Sequence, residues 1–220
     1  MKVTMIHTSQ VSVNDLMNLC NEIIPGVEIT NIIDDSLLKE VKENNGITEA
    51  IINRMTSYVK IAVENGADIV FNQCSSVGEA FDIAIKNVDV KTLKVDKPMA
   101  EKAVNLGSKI AVIATVSSTM YPSANLIKTT AKEMGKEIEV EEFYIDGALD
   151  ILMKEKDVEK HNELVLRTIE KAQKTNDVVV LAQGSMYVLH EQLNQFKKPV
   201  LVSPRLAIER LSEMLGDLHE

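Results

Sequence analysis

"ADIVFNQCSS" (Ala67 to Ser76) and "NDVVVLAQGS" (Asn176 to Ser185) decide the fold. Each is an unbroken apolar run of strand length that stops at a short polar loop. Such runs suit strands buried on both faces, as in a parallel sheet covered by helices. The two stretches stand 109 residues apart. Three further pairs repeat in the same order. "MKVTMIHTSQVS" from Met1 matches "SKIAVIATVSST" from Ser108, at an offset of 107. Gly26 before "VEIT" matches Gly135 before "KEIEV", at 109, and "KPMAEKAV" from Lys97 matches "SPRLAIER" from Ser203, at 106. Similarities at a nearly constant spacing indicate an internal duplication.

Between these markers strands and helices alternate. "KVTMIH" reads as a strand, and Val13, Leu16, Met17, Cys20, Ile23 and Ile24 form the apolar stripe of the helix after it. "VEITNI" is a second strand, followed by a helical region near 47–65 and then "ADIVFN". The second half repeats the order: "KIAVIA", a helix after Pro122, "EIEVEEF", helices through Gln173, "DVVVLA", "PVLV" and a last helix. The expected class is α/β: two pseudo-symmetric Rossmann-like three-layer lobes with mainly parallel sheets. Residues 1–95 with 206–220 are expected to form the first lobe and 96–205 the second.

Ligands of open α/β sheets sit beyond the carboxyl ends of the strands. Four such ends are short and polar: "HTSQ" from His7, "NQCSS" from Asn72, "TVSST" from Thr115 and "QGS" from Gln183. If equivalent halves face each other, these loops line one cleft. Their hydroxyls, amides and helix N-terminal N–H groups suit a small carboxylate.

Composition narrows the partners. The 220 residues are 45% hydrophobic, enough for a buried core, and the net charge of −9 disfavours nucleic acid or an anionic membrane. No apolar run approaches the roughly 20 residues that span a bilayer, and the N-terminus lacks signal-peptide features. A cytoplasmic protein is expected, acting on a small-molecule carboxylate, with no nucleic-acid or membrane partner. Two cysteines are too few for a disulfide framework, and no Cys or His pair has zinc spacing, so no metal is expected.

"NQCSS", "ATVSST", "DKPMAEKAV", "DGALDIL" with His161 downstream, and "SPRLAIERL" together resemble the aspartate/glutamate/hydantoin racemase superfamily. The superfamily also includes maleate isomerases and arylmalonate decarboxylases, and the resemblance covers nearly the whole chain. It implies a two-lobed enzyme free of pyridoxal phosphate, metal and nucleotide, in which two cysteines, one per half, move a proton at the carbon next to a carboxylate. A homodimer is usual in such proteins.

By that resemblance Cys74 is the catalytic acid/base. Read without gaps, its counterpart in the second half is Gln183; shifted by one, it is Gly184. Neither is a thiol. Ser185 and His7 are the remaining candidates for the opposite face. Ser9, Asn72, Ser75, Ser76, Thr115, Ser118, Thr119, Gln183 and Gly184 are the expected substrate-binding set, although Ser75, Ser76, Ser118 and Thr119 equally suit helix caps. Thr115 is matched by Thr8 across the repeat. Cys20 reads as core packing, and His161, in the charged "EKHNEL", as a solvated surface residue. Three functions stay open: an enzyme keeping Cys74 as its acid or base (a one-cysteine decarboxylase or isomerase included), a racemase with a non-cysteine second base, and a non-catalytic carboxylate-binding protein.

Overall fold

The computed structural model describes residues 1–218, apart from the side chains of Met153 and Ser185. The chain divides into two compact units. One is Met1–Val95 together with the segment from Pro204 onward, and the other is Asp96–Ser203.

The first unit runs β1 (Lys2–His7), α1 (Val13–Ile23), β2 (Glu28–Ile33), α2 (Ser36–Glu43), α3 (Glu49–Glu64), β3 (Ile69–Asn72), α4 (Gly78–Ala84) and β4 (Lys91–Lys94). The second runs α5 (Lys97–Leu106), β5 (Lys109–Ala114), α6 (Ser117–Glu133), β6 (Glu139–Tyr144), α7 (Ala148–Asp150), α8 (Val158–Ala172), β7 (Val178–Leu181), α9 (His190–Leu193) and β8 (Val200–Val202). The last helix, α10 (Ser203–Gly216), returns to the first unit. Each unit holds one four-stranded sheet, ordered β2-β1-β3-β4 and β6-β5-β7-β8, with every pairing parallel. Two parallel sheets flanked by helices are the α/β class that the alternation implies.

The apolar runs become central strands because they can be buried on both faces. All residues of β3 and β7 are buried, whereas the edge strands β2 and β6 are partly exposed. Alternation divides each strand between two layers. Ile6 and Val70 point into a core with Leu37, Val41, Ile51, Met55, Val59, Ala62, Val77, Ala80 and Phe81. Ala111, Ile113, Val179 and Leu181 pack against Val165, Ile169, Ala172, Met186 and Leu189.

The duplication is visible atom by atom. Asp68 accepts the backbone N–H of Lys2 at 2.7 Å, and Asp177 accepts those of Ser108 and Lys109 at 3.2 and 3.0 Å. Gly26 and Gly135 both turn the chain after a helix with positive φ, 85° and 65°. The buried residues of α3 are Ile51, Met55, Val59 and Ala62; those of α8 are His161, Val165, Ile169 and Ala172, with the same spacing. His161 is therefore not the solvated residue that its charged neighbours suggest. It is 2% exposed, because the 3.6-residue period puts it in register with an apolar stripe.

The second-half helix also starts earlier than the proline suggests. Pro122 lies inside α6, which begins at Ser117. The first turn closes through Thr119, whose backbone N–H and hydroxyl reach Val116 O at 3.1 and 2.8 Å and need no proline N–H.

Gly107 joins α5 to β5 in extended backbone, and a Cβ there would stand 2.5 Å from Asp177 Cβ. Gly107→Ala is expected to push Asp177 off the start of β5. The expected cost is about 1–3 kcal/mol, read as a lower urea midpoint.

Candidate active site

The end of β3 is built to hold one sulfur. Asn72 is buried, and its carboxamide clasps the backbone two residues on: Nδ2 donates to Cys74 O at 2.9 Å, and Oδ1 accepts from Cys74 N–H at 3.4 Å. Both ends of Asn72 are thus committed to placing Cys74. Cys74 is extended (φ −138°, ψ 119°) and precedes a 3₁₀ turn, Ser75–Val77, that leads into α4. That break in the backbone turns backbone N–H groups of the turn toward the side chain.

The Cys74 thiol has hydrogen bonds with the hydroxyls of Thr8 and Ser76 and with the backbone N–H groups of Ser76 and Val77. Burial raises its pKa; these four donors oppose the rise without cancelling it. The resting group is a protonated thiol whose thiolate has donors already in place. Cys20 differs: it is 1% exposed, burial pushes its thiol up to about 12, and it is core.

The other residues of the first unit divide clearly. The Ser9 hydroxyl accepts the Val11 N–H at 3.2 Å, a local turn contact, and Ser75 is half-buried in the 3₁₀ turn. His7 is 1% exposed. Asn31 Nδ2 lies 3.7 Å from Met17 Sδ, which turns Asn31 Oδ1 to accept His7 Nε2–H at 2.8 Å. His7 continues the strand face of Val3 and Met5, whereas Cys74 packs with the Ile6 face, so the sheet end separates imidazole from thiol.

Burial lowers the His7 pKa below 6.5, and the bond to Asn31 offsets only part of this. The unfolded chain then binds more protons between the folded pKa and 6.5, so stability rises with pH across that window. The expected result is a urea midpoint that falls as pH drops below 6.5, by a smaller amount in His7→Ala than in wild type.

The second unit carries a different group at the equivalent place. Backbone contacts settle the alignment. Gln73 N–H donates to Ile6 O and Ala182 N–H to Ile113 O, both at 2.9 Å. Val77 N–H donates to Cys74 O as Met186 N–H does to Gln183 O. The ungapped reading holds, and Cys74 corresponds to Gln183; Gly184 corresponds to Ser75.

Both polar atoms of Gln183 have partners. Its Oε1 accepts the Thr115 N–H at 3.1 Å and the Thr115 hydroxyl at 3.5 Å, and its Nε2 donates to Thr119 Oγ1. Thr115, Thr119 and Gln183 are thus brought together, bonded to one another. Thr115 holds Gln183 as Thr8 holds Cys74. Ser118 is half-buried on α6; the side chain of Ser185 lies outside the described residues. Thr8 is the residue that loop-reading undervalues, and it was legible through its match to Thr115. Among the described residues, no three His, Cys, Asp or Glu side chains gather as metal ligands, and no helix is long and apolar enough to cross a membrane.

No family model and no curated protein sequence matches the chain. Solved structures do. An aspartate racemase homologue from Pyrococcus horikoshii matches with TM-score 0.72 and 19% identity, over 98% of this chain and 99% of that one. Allantoin racemase from Klebsiella pneumoniae matches with TM-score 0.67 and 15% identity, over 99% and 88%. A variant of arylmalonate decarboxylase, in a sulfate-associated form, gives 0.62 and 14%, over 98% and 94%. The chain has the fold of the aspartate, glutamate and allantoin racemases. At these identities the likeness is one of fold.

Proposed function

We propose that the chain is a cofactor-independent enzyme of the aspartate/glutamate/hydantoin racemase superfamily. It transfers a proton at the carbon alpha to the carboxylate of a small acid, with Cys74 as its acid/base. The observation that carries this reading is the asymmetry of two equivalent strand ends. One holds a thiol among four hydrogen-bond donors; the other holds a carboxamide whose polar atoms are consumed within its own unit.

A proton alpha to a carboxylate is very weakly acidic, so its removal needs a placed base and stabilisation of the enediolate charge. The donors around Cys74 favour its thiolate once a proton has left it, and Ser75 supplies a hydroxyl for the substrate carboxylate. An amide cannot take over proton transfer at Gln183. The reaction then passes through one sulfur, which removes and returns the proton on the same face.

The raised Cys74 pKa also favours a second reading, in which the protonated thiol acts as an acid and quenches a carbanion left by decarboxylation. Aspartate, glutamate, hydantoins, maleate and substituted malonates incubated with the protein in deuterated water separate the readings. Deuterium entering the alpha carbon of one enantiomer supports proton transfer, and release of carbon dioxide from a malonate supports the second. A protein that is stabilised by such acids but neither exchanges nor decarboxylates any of them is a binding protein, and the enzyme reading then fails.

A further inference from the structure

A cluster of charge at the end of β2 takes no part in the arrangements above. Asp34 follows Ile33, and its side chain is 14% exposed. Arg54 and Tyr58, one turn apart on α3, both donate to Asp34 Oδ2, at 3.0 and 2.7 Å, and the Ser36 N–H donates to Oδ1 at 3.0 Å. Arg54 also donates to the Ser36 hydroxyl at 2.8 Å and pairs with Glu40, whose other oxygen accepts the Thr48 hydroxyl at 3.0 Å. One guanidinium thus ties both the start and the middle of α2 to α3.

The inner face of α2 meets the Cys74 loop. Leu37 and Val41 share a core with Val77, and Cys74 packs on that core. The same helix packs against the 3₁₀ turn Ser75–Val77, which gives the sulfur the N–H groups of Ser76 and Val77. Just before the helix, Asp34 N–H donates to His7 O at 3.0 Å, one residue short of Thr8, whose hydroxyl bonds the sulfur. The cluster therefore grips the segment against which three of the four sulfur donors are set.

The second unit is an internal control. By the shared spacing of α3 and α8, Arg54 corresponds to Leu164 and Tyr58 to Thr168. Asp34 corresponds to Ile145, whose N–H donates to Ala114 O at 2.9 Å and whose side chain packs on the core. In place of α2 stand the three-residue α7 and one wide turn, Ile151–Glu155. A unit of this fold forms without the ionic cluster, and the cluster accompanies the thiol. Half-buried ion pairs add little net stability, because desolvation offsets attraction; several bonds converging on one guanidinium do fix geometry.

We propose that Arg54, bound to Asp34 and Glu40, is a positioning residue for Cys74: it clamps α2 against the 3₁₀ turn and so holds the turn's N–H groups on the sulfur. This deepens the Cys74 reading and rests on it for its place in the reaction.

The test reads the thiol itself and needs no substrate. Ultraviolet thiolate absorbance is followed from about pH 7 to 11, each protein against the same protein carrying Cys74→Ala, so that Cys20 and the tyrosines cancel. Arg54→Leu copies Leu164 of the second unit and is expected to raise the Cys74 midpoint by about one pH unit, a tenfold loss of acidity, as the donors withdraw. Arg54→Lys keeps the charge without the fork and is expected to recover part of the shift. Tyr58→Phe removes one bond to Asp34; it is expected to give a smaller rise and decides alone if Arg54→Leu fails to fold. A lower urea midpoint by itself is a structural effect. A Cys74 midpoint that stays put or falls in the folded variants overturns the proposal, whatever their stability. Failure of deuterium exchange in wild type with the midpoint shift intact sinks the Cys74 reading alone; exchange in wild type with an unmoved midpoint sinks this proposal alone.

Discussion

Cys74→Ala is expected to lower solvent deuterium exchange at the alpha carbon by at least about a thousandfold, within the range that a positioned acid/base contributes. The size follows from the absence of a stand-in. Thr8 and Ser76 are hydroxyls that donate to the sulfur, and an unassisted hydroxyl is a poor base. Cys20 is sealed in the core with its pKa at about 12. Cys74→Ser keeps the shape and the hydrogen bonds but not the acidity, and is expected to be nearly as inactive. Both variants should melt close to wild type, since Asn72 grips the backbone at this position and not the side chain. Exchange undiminished in Cys74→Ala places the chemistry elsewhere.

Gln183→Leu is expected to do the reverse: a large loss of stability. The change removes the acceptor of the buried Thr115 N–H and hydroxyl and the donor to Thr119, without new partners for any of them. One buried polar group stranded in this way costs about 1–3 kcal/mol, so stranding the Thr115 N–H and hydroxyl costs about 2–6 kcal/mol, or a melting temperature lower by about 4–24 °C. Gln183→Glu keeps the acceptor for Thr115 and is expected to recover part of the loss. If Gln183→Leu melts with wild type and loses activity instead, Gln183 acts on substrate and the assignment of its amide to structure is wrong.

The parts of the fold written in hydrophobic pattern were open to a reader of the sequence. The two apolar runs, Ile69 to Asn72 and Val178 to Leu181, announce central strands because nothing polar interrupts them. The repeat announces two like units because equivalent residues recur at one spacing. The site was legible only where the loop chemistry was unusual, as at Cys74.

What stayed hidden depends on which way a side chain turns. Asn72, Thr115 and Thr119 look like ligand groups in a list of polar residues, yet each spends a polar group within the protein. His161 looks solvated among Glu159, Lys160 and Glu163, and only the helical phase buries it.

The central claim is that one sulfur handles the proton on one face. The direct measurement is the stereochemical course of exchange: each enantiomer of an accepted acid is incubated separately in deuterated water, and deuterium content and configuration are followed together by mass spectrometry and chiral chromatography. Deuterium entering a single enantiomer with configuration retained is the predicted result. Inversion keeping pace with exchange, from either enantiomer, contradicts it, because a second group must then deliver a proton from the opposite face.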